Sequence, residues 1–293
     1  MNLLLHDLVL LPLAGALVIG LTAPALGIYL VQRRLSLIGD GIGHVALTGV
    51  GVGLLLDHHP VVTAVVVAVL GAVAVELVRE RGRTSGDLAL ALLFYGGIAG
   101  GVVLVGLSED SSNANLMQYL FGSLTTTSGP ELTVIAILGA AVLLTTLGLR
   151  PALFAVCNDE EYARVSGLPV RTLNLVLAVT TAVTVTIAMR TVGLLLVSAL
   201  MVVPVAAAQQ VTRGFRTTMA TAMTIGVVAA ATGVLASVQL DTAPGATIVI
   251  VAIAIFVALT AAGGAWRTLR RMPAQRRAEH AEPPDVVLGA GAR

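Results

Sequence analysis

The chain has 293 residues, of which 57% are hydrophobic and only 11% charged, with a formal net charge of +1. A soluble domain carries about a quarter charged residues, so the composition excludes a water-covered globule, and the near-neutral balance gives no basic surface for nucleic acid. There is no lysine, which excludes a GK[ST] phosphate loop and assigns any ATP hydrolysis to another chain, and the single Cys157 excludes an internal disulfide.

A helix needs about 20 mainly apolar residues to cross the hydrocarbon core, with a range of roughly 17–25. Stretches of that size recur at 8–31, 42–56, 61–78, 88–107, 130–149, 173–189, 192–209, 217–237 and 244–263. The shorter alternating segments of a barrel are not seen. The expected fold is therefore all-α, a polytopic integral membrane protein of eight or nine transmembrane helices. His6 and Asp7, rather than a basic region, precede the first stretch, which reads as a retained span and not a cleaved signal.

Arginines orient the bundle through the positive-inside rule. Arg33 and Arg34, then Arg79, Arg81 and Arg83, then Arg150, Arg164 and Arg171, then Arg213 and Arg216, and last the run from Arg267 to Arg277, fall in alternate connections and read as cytoplasmic. The connections "LDHHP", "SEDSSNANLMQYLFGSLTTTS" and "LDTAPG" hold no arginine and read as external. Parity then gives nine crossings; a first stretch that stops short, or one re-entrant segment, gives eight. Arg190 falls in an external turn, where an arginine snorkels to the interface. Residues 1–266 form the expected transmembrane domain, and 267–293, rich in Pro and charge, a cytoplasmic tail without regular structure whose basic start meets anionic headgroups.

The candidate site lies in "QRRLSLIGDGIGHVALTGVG" (32–51), where Asp40 and His44 stand at i and i+4. On a helix their Cβ atoms share one face about 6 Å apart. Asp40 lies six residues beyond Arg34, or about 9 Å along a helix axis, at a depth where ionisable groups face a bundle interior or a wet cavity. Asp40 alone also reads as the N-cap of a helix starting near Gly41. A cap does not account for the imidazole one turn deeper. A carboxylate and an imidazole together suit Zn(II), Mn(II) or Fe(II). Two such groups make a weak site, as a transit site requires, and a two-fold dimer with this helix near its axis supplies four ligands. A proton relay is the competing reading. Gly39, Gly43, Gly49 and Gly53 give this helix the small surface that close packing in lipid uses.

Four blocks carry a resemblance to a known family: "RRLSLIGDGIGH" (33–44), "LMQYLFGSL" (116–124), "VGLLLVSALMVVPVAAAQQ" (192–210) and "LDTAPGATIVI" (240–250). They resemble, in order, segments of the membrane permeases of bacterial zinc and manganese ABC importers, across residues 8–264. The resemblance implies a homodimer in the cell membrane with a cytoplasmic C-terminus. It also implies two cytoplasmic ATPase subunits, an extracytoplasmic metal-binding lipoprotein, and no enzymatic activity or permanently bound cofactor. The transported ion would be zinc first and manganese second, and Asp40 and His44 match the family's metal-contact positions. Tyr95 stands where the zinc branch carries a histidine, and Gln209 and Gln210 where an arginine often follows. The alternatives are a proton-coupled secondary transporter and a permease for iron chelates or cobalamin.

The connection "RPALFAVCNDEEYARVSGLPVR" (150–171) reads as a short surface helix of about two turns, with Asp159 as N-cap, Glu160 and Glu161 at the positive end of the helix dipole, and Gly167 at the C-terminus. It resembles the coupling loop of ABC importers, which implies ATPase coupling through Asp159, Glu160, Glu161, Arg164 and Gly167. Elsewhere the readings are modest. His58 and His59 offer a docking surface or ordinary interface histidines, Glu76 pairs with Arg79 at i, i+3, and Asp87 caps its span. Glu109 and Asp241 are external and solvated, and Cys157 is a small buried hydrophobe.

Overall fold

The structure is a computed structural model that describes residues 2–80, 86–108, 118–122 and 129–279, with side chains except at 2–9, 86–87, 89, 190–191, 195 and 264–279. Arg81, Arg83 and Glu109 lie outside the described residues, as do the side chains of Asp87, Arg190 and the Arg267–Arg277 run. Among the described residues the elements are all helical: α1 Asn2–Gln32, α2 Ile38–Leu55, α3 Pro60–Glu80, α4 Gly86–Leu107, α5 Gly129–Gly148, α6 Arg150–Asn158, α7 Glu160–Val165, α8 Val170–Thr191, α9 Leu194–Val211, α10 Phe215–Leu240 and α11 Pro244–Glu279. Eight of them contain a stretch long and apolar enough to span a bilayer. The remaining long one, α9, has 18 residues, or about 27 Å at 1.5 Å per residue, close to the hydrocarbon thickness.

Side-chain contacts define two ends of the bundle. At one end the Arg33 guanidinium in the α1–α2 link meets Glu160 and Asn174, Arg171 meets Glu80, and Phe215 packs on Tyr29 and Phe154. At the other end the backbone of Phe121 and Gly122 closes on Gly193, and Gly245 closes on the Val192 carbonyl. The connections that carry arginine thus gather at one end, as charge alternation requires. Helix α9 starts at the Gly193 end and finishes where Thr212 bonds Thr218, so it crosses the whole bundle, with Pro204 removing one of its backbone hydrogen bonds.

The core is built on α1, α2 and α8, which are mostly buried, while α3, α4, α5 and α11 present most of their surface outward. In lipid, helices associate through close van der Waals packing at small residues rather than by excluding water. Here α1 and α10 cross at Gly20 and Gly226, where a methyl on either would strike the other's backbone carbonyl. Helix α1 meets α9 at Gly27, whose missing side chain leaves room for the Met201 carbonyl. The glycines of α2 do the same work on several sides: Gly39 faces Ser198, Gly43 faces Leu194, and Gly49 and Gly53 face α3 at Thr63.

Three expectations need correcting. The helix bearing Asp40 starts at Ile38, with Leu37 at the N-cap position and no side-chain cap bond, so Asp40 is inside the first turn and is not a cap. The loop between α5 and α8 holds two helices. Leu153 and Val156 bury one side of α6 against the core, an amphipathic turn that the sequence reading left out. Helix α11 continues as far as Glu279, into the segment that reads as the start of the tail, and residues 280–293 lie outside the described residues.

Candidate functional site

Helix α2 sets the site. Asp40 is half-buried in its first turn and His44 is buried one turn on. Helix α4 closes one side because Gly97 brings its backbone against that of His44 and Val45, and Thr48 Oγ1 donates to the Gly97 carbonyl at 2.8 Å. That approach presses the Phe94 ring edge-on to the His44 imidazole, with centroids 4.6 Å apart, and Phe94 in turn carries Tyr95 at 5.5 Å. Leu37, Asp40, Leu90, Ala91, Phe94 and Tyr95 line a groove of about 360 Å³.

The imidazole has an unusual standing. His44 Nδ1 is buried without a hydrogen-bond partner in the protein. A buried polar atom left unbonded costs roughly 1–3 kcal/mol, so natural proteins keep few. Among the described residues no three His, Cys, Asp or Glu come together in a set able to hold a metal ion. One chain therefore offers a carboxylate and an imidazole, and no closed coordination sphere.

The face of α4 turned away from α2 is open. Tyr95 is 69% exposed, Leu92 67% and Val103 59% along one face of α4, and at Gly96 and Gly106 a side chain would meet nothing within 4 Å. Tyr95, the position of the expected histidine, sits in the groove beside Asp40.

At the arginine-bearing end, α7 is fixed as expected at both of its termini. The Asp159 carboxylate accepts from the Tyr162 amide at 2.9 Å, and Gly167 follows the helix with φ +82°, the left-handed conformation that glycine adopts freely. The residues proposed for coupling do not act alike. Glu160 turns inward and holds Arg33 at 3.2 Å and Arg164 at 3.5 Å, whereas the outer surface shows Tyr162 at 68% and Val165 at 88% exposure. Sequence reading passed over these two because a single apolar residue on a polar helix gives no periodicity to detect. Arg33 also donates to Asn174 Oδ1 at 2.8 Å, so one side chain joins the foot of α2 to α7 and α8. Burial, and then the Arg79 charge nearby, depress the Arg33 pKa from its ordinary value, but a guanidinium stays cationic at any working pH.

Glu76 is paired with Arg79 at 2.8 Å, as the i, i+3 spacing predicts, and Glu80 with Arg171 at 3.1 Å. These groups line a charged bowl of about 610 Å³ beside α7. Cys157 is only partly covered, and burial first of all pushes its thiol up to about 11. His58 and His59 are exposed at the opposite end, and His58 Nδ1 bonds the Leu56 carbonyl at 2.6 Å, a helix-end role.

A family model described as the ABC 3 transport family matches residues 6–263. The chain belongs to this family. The high-affinity zinc uptake system membrane protein ZnuB of Haemophilus influenzae is 30% identical over 84% of this chain and 93% of its own length. The manganese transport system membrane protein MntC of Halalkalibacterium halodurans is 31% identical over 83% of each. The solved structure of PsaBC from Streptococcus pneumoniae in complex with Fab matches with a TM-score of 0.74 at 27% identity, over 85% of this chain and 89% of that one. The chain is thus a multi-pass membrane subunit of the metal ABC importer permease family, a transport subunit with the family's all-helical fold.

Proposed function

We propose that the chain forms, as a homodimer, the membrane path of an ABC importer for a free divalent transition-metal ion, zinc first and manganese second. The observation that carries the reading is the pair on α2: a half-buried carboxylate that lines the groove and, one turn on behind Phe94, a buried imidazole whose Nδ1 has no partner in the protein. The two donors of one protomer leave a cation undercoordinated. A second copy packed on the exposed α4 face adds two more and makes a four-donor set of the kind Zn(II) accepts. Such a set binds transiently, and conduction needs binding weak enough to release.

The cation is substrate here. The protein replaces part of its hydration shell with the Asp40 carboxylate, which supplies charge, and the His44 nitrogen, which supplies a borderline donor. Separate ATPase subunits seat on α6 and α7 at the arginine-bearing end, which faces the cytoplasm together with the C-terminus, and an extracytoplasmic metal-binding lipoprotein delivers at the other. The exposed Tyr162 and Val165 supply the apolar contact on α7, and Glu160 carries the movement to Arg33 at the foot of α2. The names of the zinc and manganese relatives support the substrate class.

The test is uptake of manganese(II) and zinc(II) into proteoliposomes holding the permease with its ATPases. Asp40→Ala and His44→Ala each lower uptake by at least about tenfold, the loss typical of disturbing a metal site, while the complex still assembles. Uptake that persists in both variants, or that follows a proton gradient without ATP, overturns the reading.

A further inference from the structure

Among the described residues two side-chain polar atoms are buried with no partner in the protein: Nδ1 of His44, and Oγ of Ser198 on α9. Every other buried serine or threonine hydroxyl among the described residues donates to a backbone carbonyl three or four residues back. Thr146, Thr180, Thr181, Thr184, Thr186 and Ser237 do so at 2.7–2.8 Å. That back-bond is the default for a hydroxyl in an apolar helix, because no water is there to take it. Ser198, only 7% exposed, departs from it.

Its position gives the reason. A Cβ on Gly39 would stand 2.8 Å from Ser198 Oγ and 3.5 Å from Met201 Sδ. Gly39 is the residue immediately before Asp40, so the hydroxyl lies against the backbone that carries the carboxylate, with no side chain in between. The two unpartnered atoms thus stand on different sides of one stretch of α2, His44 toward α4 and Ser198, on α9, against Gly39. Gly39 is what lets the hydroxyl in.

We propose that Ser198 Oγ is a third donor of the ion path, a neutral oxygen on α9 that meets the cation beside the Asp40 carboxylate. The proposal rests on the reading of Asp40 and His44 given above. It extends the path to a second helix of the same protomer, so that the cation is touched from α2 and from α9. A hydroxyl adds a hard oxygen without adding charge, which favours release and tilts the set toward manganese relative to an all-nitrogen and sulfur site.

Three variants in the reconstituted permease–ATPase complex decide it, with manganese(II), zinc(II) and cadmium(II) as probes. Ser198→Ala lowers manganese uptake about tenfold and leaves the melting temperature equal to or above that of the parent, since removing an unbonded buried hydroxyl removes a cost. Ser198→Thr keeps uptake. Ser198→Cys exchanges oxygen for sulfur and makes cadmium a stronger competitor of manganese uptake. Unchanged uptake in Ser198→Ala, beside a dead Asp40→Ala, removes Ser198 from the path and leaves the pair on α2 standing. Normal uptake in Asp40→Ala and His44→Ala removes both. A loss in Ser198→Ala that tracks a lowered melting temperature, with no change of preference in Ser198→Cys, makes the hydroxyl structural and overturns the proposal.

Discussion

Tyr95 lines the same groove as Asp40, and its hydroxyl is the one side-chain donor that α4 contributes to that lining. A phenol is a poor metal donor near neutral pH, and an imidazole is a good one for zinc. Tyr95→His is expected to raise the preference for zinc over manganese several-fold in competition uptake, and an unchanged ratio removes position 95 from selectivity. Cys157 gives a different readout. Its thiol pKa is raised from the ordinary value of 9.0 to about 11, chiefly by burial, with the nearby Arg33 and Arg79 charges pulling the other way. The folded protein thus holds the proton more tightly than the unfolded chain. Stability from this group is intact below pH 9 and is lost as the pH rises through about 11. Maleimide labelling at pH 8 should be slow relative to a free thiol, and Cys157→Ala should flatten the fall in melting temperature between pH 9 and 11. That Asp40 and His44 stand one turn apart on a single helix was legible from their spacing alone. Ser198 was not, since a serine in an apolar helix is ordinarily satisfied by its own backbone and only coordinates reveal the exception.

Among the elements, the long apolar spans were legible because lipid demands them, and the glycines of α2 marked its packing faces. The beginning of α2 was placed too late. Asp40 drew the N-cap to itself, but Leu35, Leu37 and Ile38 already pack or pair locally, and the helix forms at Ile38 without a side-chain cap. Helix α6 escaped because its apolar side is short and meets the core only in three dimensions. Two mutations belong here. Gly226→Val sets branched carbon against the Gly20 carbonyl at the α1–α10 crossing; overpacking of this kind costs about 1–3 kcal/mol or more, read as a lowered melting temperature in detergent. Arg33→Ala leaves Asn174, 6% exposed, without its donor and Glu160 without its inner partner. The expected cost is about 1–3 kcal/mol, along with a lower ratio of ions moved to ATP hydrolysed. If α7 drives α2 through this junction, the exchange Arg33→Glu with Glu160→Arg recovers part of that ratio, and a ratio equal to the parent's in Arg33→Ala argues against the strut.

At the scale of the molecule, the exposed stripe on α4 is the surface that two copies share in the dimer proposed above. A cysteine at Tyr95, in a Cys157→Ala background, is expected to form a disulfide between copies in the membrane, seen as a doubled mass on non-reducing gels. A cysteine at Leu144 on α5, 75% exposed on another face, should not. Equal cross-linking at both positions would mean random collision. That the arginine-bearing connections share one end of the bundle was legible because arginine alternation reports on whole loops and not on single contacts. The way the arginine-bearing loops lock together through Arg33, Glu160 and Asn174 required the folded chain.

The turn at Gly193, with φ +93°, is seated so tightly under the backbone of Phe121 and Gly122 that no wedge of side chain fits between them. Any tilt of α9 must therefore carry the 118–122 segment with it as one piece. A fluorophore placed on that rim would therefore report any tilt of α9 from the end opposite the arginine-bearing loops.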